Sequence, residues 1–370
     1  MERFHGIDRH KAYSTISVLN REGVEIAFHP CIKDLRSYLD SLGSEDAIVL
    51  EASTGSFWWA DYIEAKGITC FVLNPYRFKI IKDSWNKTDK RDARNMAKAL
   101  WVYMVTGEFG LPTIYKPSIA VRELRKLFTY YNLLNRQIRM IKNGVQALLT
   151  ENGIILEEAD RKLLLKKNGD NTVVEKLDLT PASILIISGE LELLRNLLER
   201  KDKLTEAILL AGATFQKQVE LLITIRGITP LVSLAFLADI GDINRFSSTR
   251  KMNAYLGLVP QCSDSGGKER HGHINRESRK LTRTILTQTL VQVADASPQF
   301  RKFYDELKER RGAGRARIAL IRKLCGIMRR MVIVGEEYRD KEDNLFSKKA
   351  IQYRKILEQN KKECISKKTA

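Results

Sequence analysis

A chain of 370 residues is too long for one ordinary hydrophobic core, so we expect two or three domains. No apolar run approaches the ~18 residues that span a bilayer. Charged residues also interrupt the amino-terminal segment, so the sequence predicts neither a membrane protein nor a signal peptide. The 5 cysteines are scattered without a Cys-x-x-Cys pair, which argues against a disulfide framework or a structural zinc site.

The net charge of +18 is unevenly distributed along the chain. Residues 1–110 hold 15 Lys/Arg and 15 Asp/Glu, so the whole excess lies in the rest of the chain. A segregated basic surface is expected for a polyphosphate partner. We therefore expect a cytoplasmic, nucleoid-associated protein that binds nucleic acid, the alternative being a merely soluble basic protein.

The amino-terminal residues predict an α/β domain of RNase H-like order. Three short strands are expected within residues 4–28, and the apolar run 47–50 suits a central strand buried on both faces. Helical spacing predicts a helix over 32–42, and a second helix over 57–66 leads into a strand over 68–73. Three antiparallel strands followed by alternating helices and strands give this fold class.

A coiled-coil arm is predicted over residues 113–220. Apolar residues recur there at spacings of three and four, a heptad seam of about four repeats. The seam comprises Ala120, Leu124, Leu127, Tyr131, Leu134, Ile138, Ile141, Val145 and Leu148. A leucine-rich helix over 191–222 is expected to return, although both helices could equally form a bundle core. Basic residues off the seam can face a phosphate backbone: Arg122, Arg125, Lys126, Arg136, Arg139 and Lys142.

The remaining residues are predicted to be mostly helical over 221–340, with a partly disordered, lysine-rich tail over 341–370. In the helical region Ser265 precedes two glycines in a predicted loop. A set of basic residues follows it: Lys268, Arg270, Arg276, Arg279, Lys280 and Arg283. A hydroxyl in a basic field can attack a phosphodiester when a metal or base activates it, although most Ser-Gly pairs are only turns.

Four acidic residues are candidate metal ligands. Asp8 closes the first strand and Glu51 closes the apolar strand, so both can emerge at one end of the sheet. Asp89 and Asp92 lie three apart near a predicted helix start and share a helix face. Four carboxylates packed together repel one another unless cations lie between them, and oxygen ligands select Mg²⁺ or Mn²⁺. Two such ions can activate an attacking oxygen and stabilise the leaving oxygen of a phosphodiester.

Each acid also has an ordinary structural explanation. Asp8 could be a turn residue, Glu51 a helix cap, and the pair at 89 and 92 a solvated helix face. Their joint occurrence in this order favours metal binding. The fold alone does not decide the function, because RNase H-like sheets also carry ATP-dependent kinases. A kinase would need glycine-rich phosphate loops, which this sequence lacks.

Six motifs then occur in one order across most of the chain. They are Gly6-Ile7-Asp8-Arg9-His10-Lys11, Leu50-Glu51-Ala52-Ser53-Thr54-Gly55, Lys87-Thr88-Asp89-Lys90-Arg91-Asp92-Ala93, Gly227-Ile228-Thr229, Tyr255-Leu256-Gly257-Leu258-Val259-Pro260 and Ser265-Gly266-Gly267. On these motifs the chain resembles the DEDD transposases of bacterial insertion sequences, a family that includes the Piv/MooV DNA invertases. Some members of that family are bridge-RNA-guided serine recombinases.

The resemblance implies a RuvC-like catalytic domain over 1–112, the coiled-coil arm, a helical transposase domain over 221–340, and the basic tail. It implies that Asp8, Glu51, Asp89 and Asp92 bind Mg²⁺ or Mn²⁺. Ser265 would be the nucleophile, with Ser263 as the fallback. The implied reaction joins the serine oxygen to a DNA phosphate, exchanges strands and reseals them without ATP. Donor and target DNA, a structured guide RNA and a homo-oligomer, dimer or tetramer, are the implied partners.

One departure from the family pattern follows the serine. The family usually has a basic-glycine element there, whereas this chain has Arg276-Glu277-Ser278-Arg279. Glu277 places a negative charge in a basic stretch, which affects the expected DNA or RNA contacts. The alternative function is a RuvC-like junction resolvase, a structure-specific endonuclease that uses water as its nucleophile. A non-enzymatic nucleic-acid-binding protein is a further alternative.

Overall fold

The computed structural model describes residues 1–81, 88–169, 172–265, 268–274, 278–295 and 297–369. Within these ranges, side chains are described except at positions 79–81, 175, 260–265, 268–274, 343 and 360–369. The chain divides into two compact units, the N-terminal unit (Met1–Lys116) and the C-terminal unit (Pro117–Ala370). None of the described helices combines the length and the apolar character needed to cross a bilayer.

The N-terminal unit contains a five-stranded mixed sheet of order β3-β2-β1-β4-β5. Its elements are β1 (Arg3–Arg9), β2 (Ser14–Leu19), β3 (Glu25–Ile32), α1 (Leu35–Asp40), β4 (Asp46–Glu51), α2 (Ser56–Glu64), β5 (Thr69–Leu73), α3 (Pro75–Ile81) and α4 (Asp89–Trp101), followed by a π-helical turn at Val102–Thr106. The first three strands are antiparallel, whereas β4 pairs parallel with both β1 and β5. This arrangement is consistent with the RNase H-like order expected from the sequence.

Strand β4 is buried on both faces of the sheet, which explains its continuous apolar run. Ala47 and Val49 pack with α4, where Met96 and Leu100 are also buried. Ile48 and Leu50 point to the opposite face and pack with residues of α1 and α2. Because successive side chains of a strand alternate between faces, a strand covered on both sides favours a continuous apolar run such as 47–50.

The C-terminal unit is mostly helical. Its elements are α5 (Ile119–Glu151), α6 (Glu158–Leu164), α7 (Thr172–Glu175), α8 (Pro181–Ala211), α9 (Gln216–Leu222), α10 (Pro230–Ile240), α11 (Thr249–Tyr255), β6 (Pro260–Ser265), β7 (Lys268–Ile274), α12 (Leu281–Asp295), α13 (Pro298–Arg311), α14 (Ala313–Val334) and α15 (Asp343–Thr369). The strands β6 and β7 form an antiparallel hairpin. One large hydrophobic core contains buried residues from most of these helices.

The predicted heptad seam lies on α5, which packs against α8 within the C-terminal unit. Most seam residues are buried, including Tyr131, Ile138 and Val145. Both helices contribute to the same hydrophobic core, as in the bundle alternative. A coiled-coil arm therefore stays a prediction.

Two local expectations were wrong. The tail over 341–370 is not disordered over its described part, because α15 runs from Asp343 to Thr369. Its buried residues Ala350, Tyr353 and Leu357 are three and four positions apart, so they form one helical face that packs into the core. The many lysines of this segment obscured that spacing in the sequence. Ser265 lies at the end of β6 rather than in a loop.

Candidate metal centre

Asp8 and Glu51 lie at the same end of the central strands. β1 and β4 are parallel neighbours with Ile7 paired to Leu50, so the next residue of each strand is one of the two acids. The side chain of Asp8 is 14% exposed. The strand order therefore brings these two carboxylates to one edge of the sheet, as the sequence predicted.

Asp89 and Asp92 lie in the first turn of α4, which packs on β1 and β2. The hydroxyl of Thr88 caps this helix by accepting a hydrogen bond from the amide of Arg91 at 3.3 Å. Asp92 faces the sheet and is only 3% exposed, whereas the side chain of Asp89 is 47% exposed. The helix terminus thus directs one carboxylate inward and leaves the other at the surface.

The electrostatics of Asp8 reflect its burial and the charged groups around it. Burial raises the pKa of the Asp8 carboxyl above its ordinary value. His10 opposes this shift, while the negative charges of Asp92, Glu51 and Asp89 raise the pKa further. Carboxylates influence one another in this way only when they lie close together in a poorly solvated place. Asp92, Glu51 and Asp89 therefore lie near enough to Asp8 to act on its charge, and a shared ligand set of all four acids stays a prediction.

His10 and Tyr13 join the carboxylates, and the sequence did not predict either. His10 Nε2 lies 3.5 Å from Asp8 Oδ2 and 3.3 Å from Asp89 Oδ2. The hydroxyl of Tyr13 donates a hydrogen bond to Asp89 Oδ2 at 2.9 Å. That carboxylate raises the pKa of Tyr13, because the hydrogen bond favours the protonated phenol. His10 follows the last residue of β1, so strand alternation gave no signal for its position.

This donor set fits a divalent cation. Asp8, His10 and Asp89 each offer one ligand atom, and these atoms lie within 4.8 Å of one another. Oxygen donors that already repel one another are stabilised by a hard cation such as Mg²⁺ or Mn²⁺. His10 could serve as a ligand to Mn²⁺ or as a hydrogen-bond partner that orients the carboxylates.

The loop after Glu51 is fastened to the end of β1. The Arg9 guanidinium donates to Ser53 Oγ at 3.1 Å and also to the carbonyl oxygen of Thr54. Gly55 then begins α2 with φ at +85°, a conformation that favours glycine. These contacts tie the backbone beyond Glu51 to the residue beyond Asp8.

The predicted nucleophile lies in the C-terminal unit. Ser265 ends β6 and pairs with Lys268 of β7. Its side chain, and the side chains of Ser263, Lys268 and Arg270, lie outside the described residues. So do the whole residues Gly266, Gly267, Arg276 and Glu277. The hairpin thus positions the backbone of the serine, and the roles of these side chains stay predictions.

A buried acid anchors the chain where it leaves this hairpin. Asp239 in α10 is fully buried, and its carboxylate accepts hydrogen bonds from the amide of Thr282 at 2.7 Å and its hydroxyl at 2.9 Å. The Arg279 Nε donates to the same carboxylate at 3.1 Å. Gly257, with φ at +65°, lies where a Cβ would collide with Ser278. The segment after the hairpin is therefore closely packed.

Several of the predicted nucleic-acid contacts make hydrogen bonds within the protein, among them the exposed Lys126, which donates to Glu123 at 2.9 Å. Arg125 donates to the carbonyl oxygens of Ala238 at 2.7 Å and Asp239 at 2.9 Å, and burial lowers its pKa. Arg279 bonds Asp239, and Arg283 donates to the carbonyl of Gly257. Exposed members of the predicted set are Lys126, Arg136, Arg139 and Lys280, while Arg122 and Lys142 are half-buried.

Comparison with known proteins matches both units. The profile of a DEDD transposase family of IS110 type, described as a transposase, matches residues 5–153. The profile described as the transposase IS116/IS110/IS902 family matches residues 219–305. These two matches support an IS110-type DEDD transposase.

Known transposases align with most of this chain. It is 25% identical over 304 residues to the transposase for insertion sequence element IS1111A of Coxiella burnetii, an alignment that covers 79% of each chain. It is 25% identical over 337 residues to the probable family 20 transposase of Pseudomonas aeruginosa, with coverage of 88% of this chain and 91% of that one. A putative transposase of Sinorhizobium fredii, y4pF/y4sB, is 24% identical over 307 residues, covering 80% of this chain and 75% of the relative.

Proposed function

We propose that this transposase cleaves and rejoins DNA strands at a divalent-metal centre. Its ligands are Asp8, Glu51, Asp89 and Asp92, and its cofactor is Mg²⁺ or Mn²⁺. The observation that carries the proposal is geometric: ligand atoms of Asp8, His10 and Asp89 lie within 4.8 Å of one another, at the end of the sheet where Glu51 follows the residue paired with Ile7. The negative charges of Asp92, Glu51 and Asp89 accordingly raise the pKa of Asp8, in addition to its burial. Such repulsion is costly without a cation, and perturbed carboxylates of this kind concentrate at functional sites.

The protein residues of this centre have separable roles. A bound cation would supply the positive charge that stabilises the oxygens of a phosphodiester during its displacement. Asp8 and Asp92 provide oxygen donors from a poorly solvated position. Tyr13 fixes the orientation of Asp89 through its hydroxyl, and Arg9 holds the loop that follows Glu51. These contacts hold the donors in place before substrate arrives, which is what electrostatic catalysis requires.

The nucleophile of the proposal is Ser265, with Ser263 as the fallback. Its Oγ forms a bond to a DNA phosphorus while the phosphorus–oxygen bond to the leaving DNA strand breaks, and the hydroxyl proton passes to a base. Rejoining reverses the step with the hydroxyl of a new strand, so the phosphodiester energy is kept without ATP. Support comes from the serine-glycine motif and from its place at the end of β6, within the second family match.

A structured RNA and further copies of the chain complete the proposal. The resemblance to bridge-RNA-guided recombinases supports a guide RNA for target choice. Exposed basic residues on α5, among them Arg136 and Arg139, offer contacts to a phosphate backbone. We further propose that the carboxylates of one subunit act with Ser265 of another in a homo-oligomer.

The first experiment looks for the covalent serine–DNA link. Wild-type protein is incubated with Mg²⁺, donor DNA and the candidate guide RNA, and the products are separated under denaturing conditions. We expect a protein–DNA adduct with the wild type and with Glu108→Gln, an exposed acid of the same unit. Asp8→Asn and Ser265→Ala should form no adduct.

Each other outcome has a definite meaning. An adduct that persists in Ser265→Ala but disappears in Ser263→Ala assigns the nucleophile to the fallback serine. Free cut ends without any adduct, unchanged in both serine variants, would favour the junction resolvase that uses water. Cleavage that survives Asp8→Asn would overturn the metal centre itself.

A second experiment tests the shared site. Asp8→Asn and Ser265→Ala are each inactive in the proposal, but a mixture of the two contains subunits with intact carboxylates and subunits with an intact serine. If the subunits exchange and the site is shared, the mixture should regain part of the wild-type adduct. A mixture as inactive as its components, with exchange verified by differently labelled subunits, would contradict a shared site.

A further inference from the structure

A basic cavity of about 230 Å³ adjoins the carboxylate centre of the N-terminal unit. Its lining includes the side chains of Arg9, Lys11, Lys33 and Arg36, with Asp34 as its acidic residue. His10 and Tyr13 line it too, and both contact Asp89. The cavity is therefore directly adjacent to the candidate metal centre.

The cations of this cavity differ from others in the unit. Arg3, Arg94 and Lys116 each form ion pairs with nearby carboxylates. Within the described part of the chain, no carboxylate lies within ion-pair distance of the four basic side chains of the cavity. Asp34 is itself engaged, since it accepts a hydrogen bond from the amide of Ser37 at 3.1 Å. Cations that no carboxylate neutralises are suited, in a concave site, to bind an anion.

An aromatic surface continues from the cavity along α2. Trp59 lines the cavity and lies edge-on to Trp58, with ring centroids 4.9 Å apart. Trp58 is 47% exposed and nearly parallel to Tyr62. The guanidinium of Arg36 lies 5.0 Å from the centre of the Trp58 ring, so it joins the cavity to this surface. A large exposed indole beside cations that lack a carboxylate partner is an arrangement by which proteins stack unpaired bases while holding the backbone phosphates.

We propose that the cavity and Trp58 bind an unpaired nucleotide segment of a DNA or RNA strand that continues from the metal centre. Lys11 and Lys33 contact its phosphates, and a base stacks on Trp58. The substrate class rests on the proposed function, whereas the binding itself does not require cleavage. A duplex fits the site poorly, because its bases are paired and stacked and cannot reach an indole.

The test measures strand binding by the full-length protein in EDTA, where a metal-dependent reaction cannot proceed. The probes are fluorescein-labelled oligo(dT) and oligo(U) of about 12 nucleotides and a duplex of equal length. Wild-type protein should bind at least one single strand more tightly than the duplex. The preferred probe identifies whether DNA or RNA supplies the segment.

Two variants separate the phosphate contacts from the stacking contact. Lys11→Ala combined with Lys33→Ala should reduce the salt dependence of binding, lowering the slope of log K against log salt by about 1.4 for two phosphates on a single strand. Trp58→Ala should weaken binding about ten-fold with an unchanged slope. Trp58→Phe should restore most of the affinity, because it keeps an aromatic face.

Matched controls use residues outside the cavity lining. Lys98→Ala removes an exposed cation of α4, and Tyr76→Ala removes an aromatic residue of the same unit that is 69% exposed. Both should leave the single-strand affinity within two-fold of the wild type. Equal losses in the controls, equal losses on the duplex, or no loss in the cavity variants would each overturn the proposal.

The outcome is distinguishable from failure of the proposed function. Asp8→Asn should bind the single strands as the wild type does. If Asp8→Asn abolishes cleavage while the cavity variants bind normally, the nucleotide site is wrong and the metal centre stands. If the cavity variants lose affinity while Asp8→Asn still cleaves, the metal centre is wrong and the nucleotide site stands.

Discussion

Gly6 of β1 lies directly against Ala93 of α4. A Cβ on Gly6 would stand 2.2 Å from the carbonyl oxygen of Ala93 and 2.3 Å from the amide nitrogen of Ala97. Both contacts involve helix backbone, so no side-chain rotation can make room. Gly6 is two residues before Asp8, and Ala93 directly follows Asp92, so this contact sets how closely two of the candidate ligands approach.

The first prediction concerns that contact. Gly6→Ala should push α4 away from the sheet and lower the free energy of unfolding by roughly 1–3 kcal/mol, the usual cost of overpacking. It should also weaken Mn²⁺ binding, because Asp92 moves with the helix. Urea denaturation and calorimetric titration measure the two effects. The control is Gly110→Ala, where a Cβ meets no atom within 4 Å. Equal behaviour of the two variants would contradict the proposed role of Gly6.

The second prediction follows from the electrostatics of Asp8. Its pKa is raised in the folded protein, chiefly by burial, so folding favours the protonated acid and this group lowers stability as pH rises through its folded pKa. Without divalent cations, Asp8→Asn should therefore melt at a higher temperature than the wild type at about pH 8, and the difference should shrink as the pH is lowered through the folded pKa of Asp8.

Adding Mg²⁺ supplies the internal check on that prediction. The cation should raise the melting temperature of the wild type, because a ligand that binds only the folded state stabilises it. It should have a much smaller effect on Asp8→Asn. Wild-type protein that melts identically with and without Mg²⁺ at about pH 8 would show that the carboxylates do not hold the cation.

Much of the carboxylate centre could be predicted because it follows from topology. The apolar run 47–50 indicated a strand covered on both faces, and parallel pairing with β1 then fixed Asp8 beside Glu51. The i, i+3 spacing placed Asp89 and Asp92 in one helical turn. These relationships depend only on strand order and helical periodicity, and both can be inferred from the spacing of residues in the sequence.

Contacts that depend on a third element could not be predicted in this way. Arg125 lies off the heptad seam and was predicted to contact a phosphate backbone, but α5 packs against α10 as well as α8. That second contact directs its guanidinium to backbone carbonyls of α10. His10 lies beyond the end of β1, where the path of the loop determines which side chains meet. Neither position is encoded in local spacing.

The third prediction concerns His10. Its Nε2 lies close to both Asp8 and Asp89, and it lowers the pKa of Asp8 against the effect of burial. His10→Ala should weaken Mg²⁺ activation of cleavage about 10–100-fold, as is typical when a partner of a metal ligand is removed. It should also shift the acidic limb of the pH–rate profile upwards, because the pKa of Asp8 rises further. A Mg²⁺ titration at two pH values measures both effects. His29→Ala, in β3, is the control, and an unchanged Mg²⁺ requirement in His10→Ala would contradict the assignment.

The last prediction concerns Asp239, which anchors the segment after the serine hairpin. Asp239→Ala leaves the amide and hydroxyl of Thr282 without their acceptor and removes the partner of Arg279, so we expect a loss of about 3 kcal/mol in the free energy of unfolding. Asp305→Ala removes an exposed acid 3.9 Å from Arg301 and should cost less than about 0.5 kcal/mol. Chemical denaturation measures both values. Asp239→Asn keeps one acceptor oxygen, so its free energy of unfolding should lie between those of Asp239→Ala and Asp305→Ala. It should form less serine–DNA adduct than the wild type, because Arg279 follows the hairpin closely. Adduct formation equal to the wild type in Asp239→Asn, with a reduced stability, would show that the anchor supports the fold without positioning Ser265.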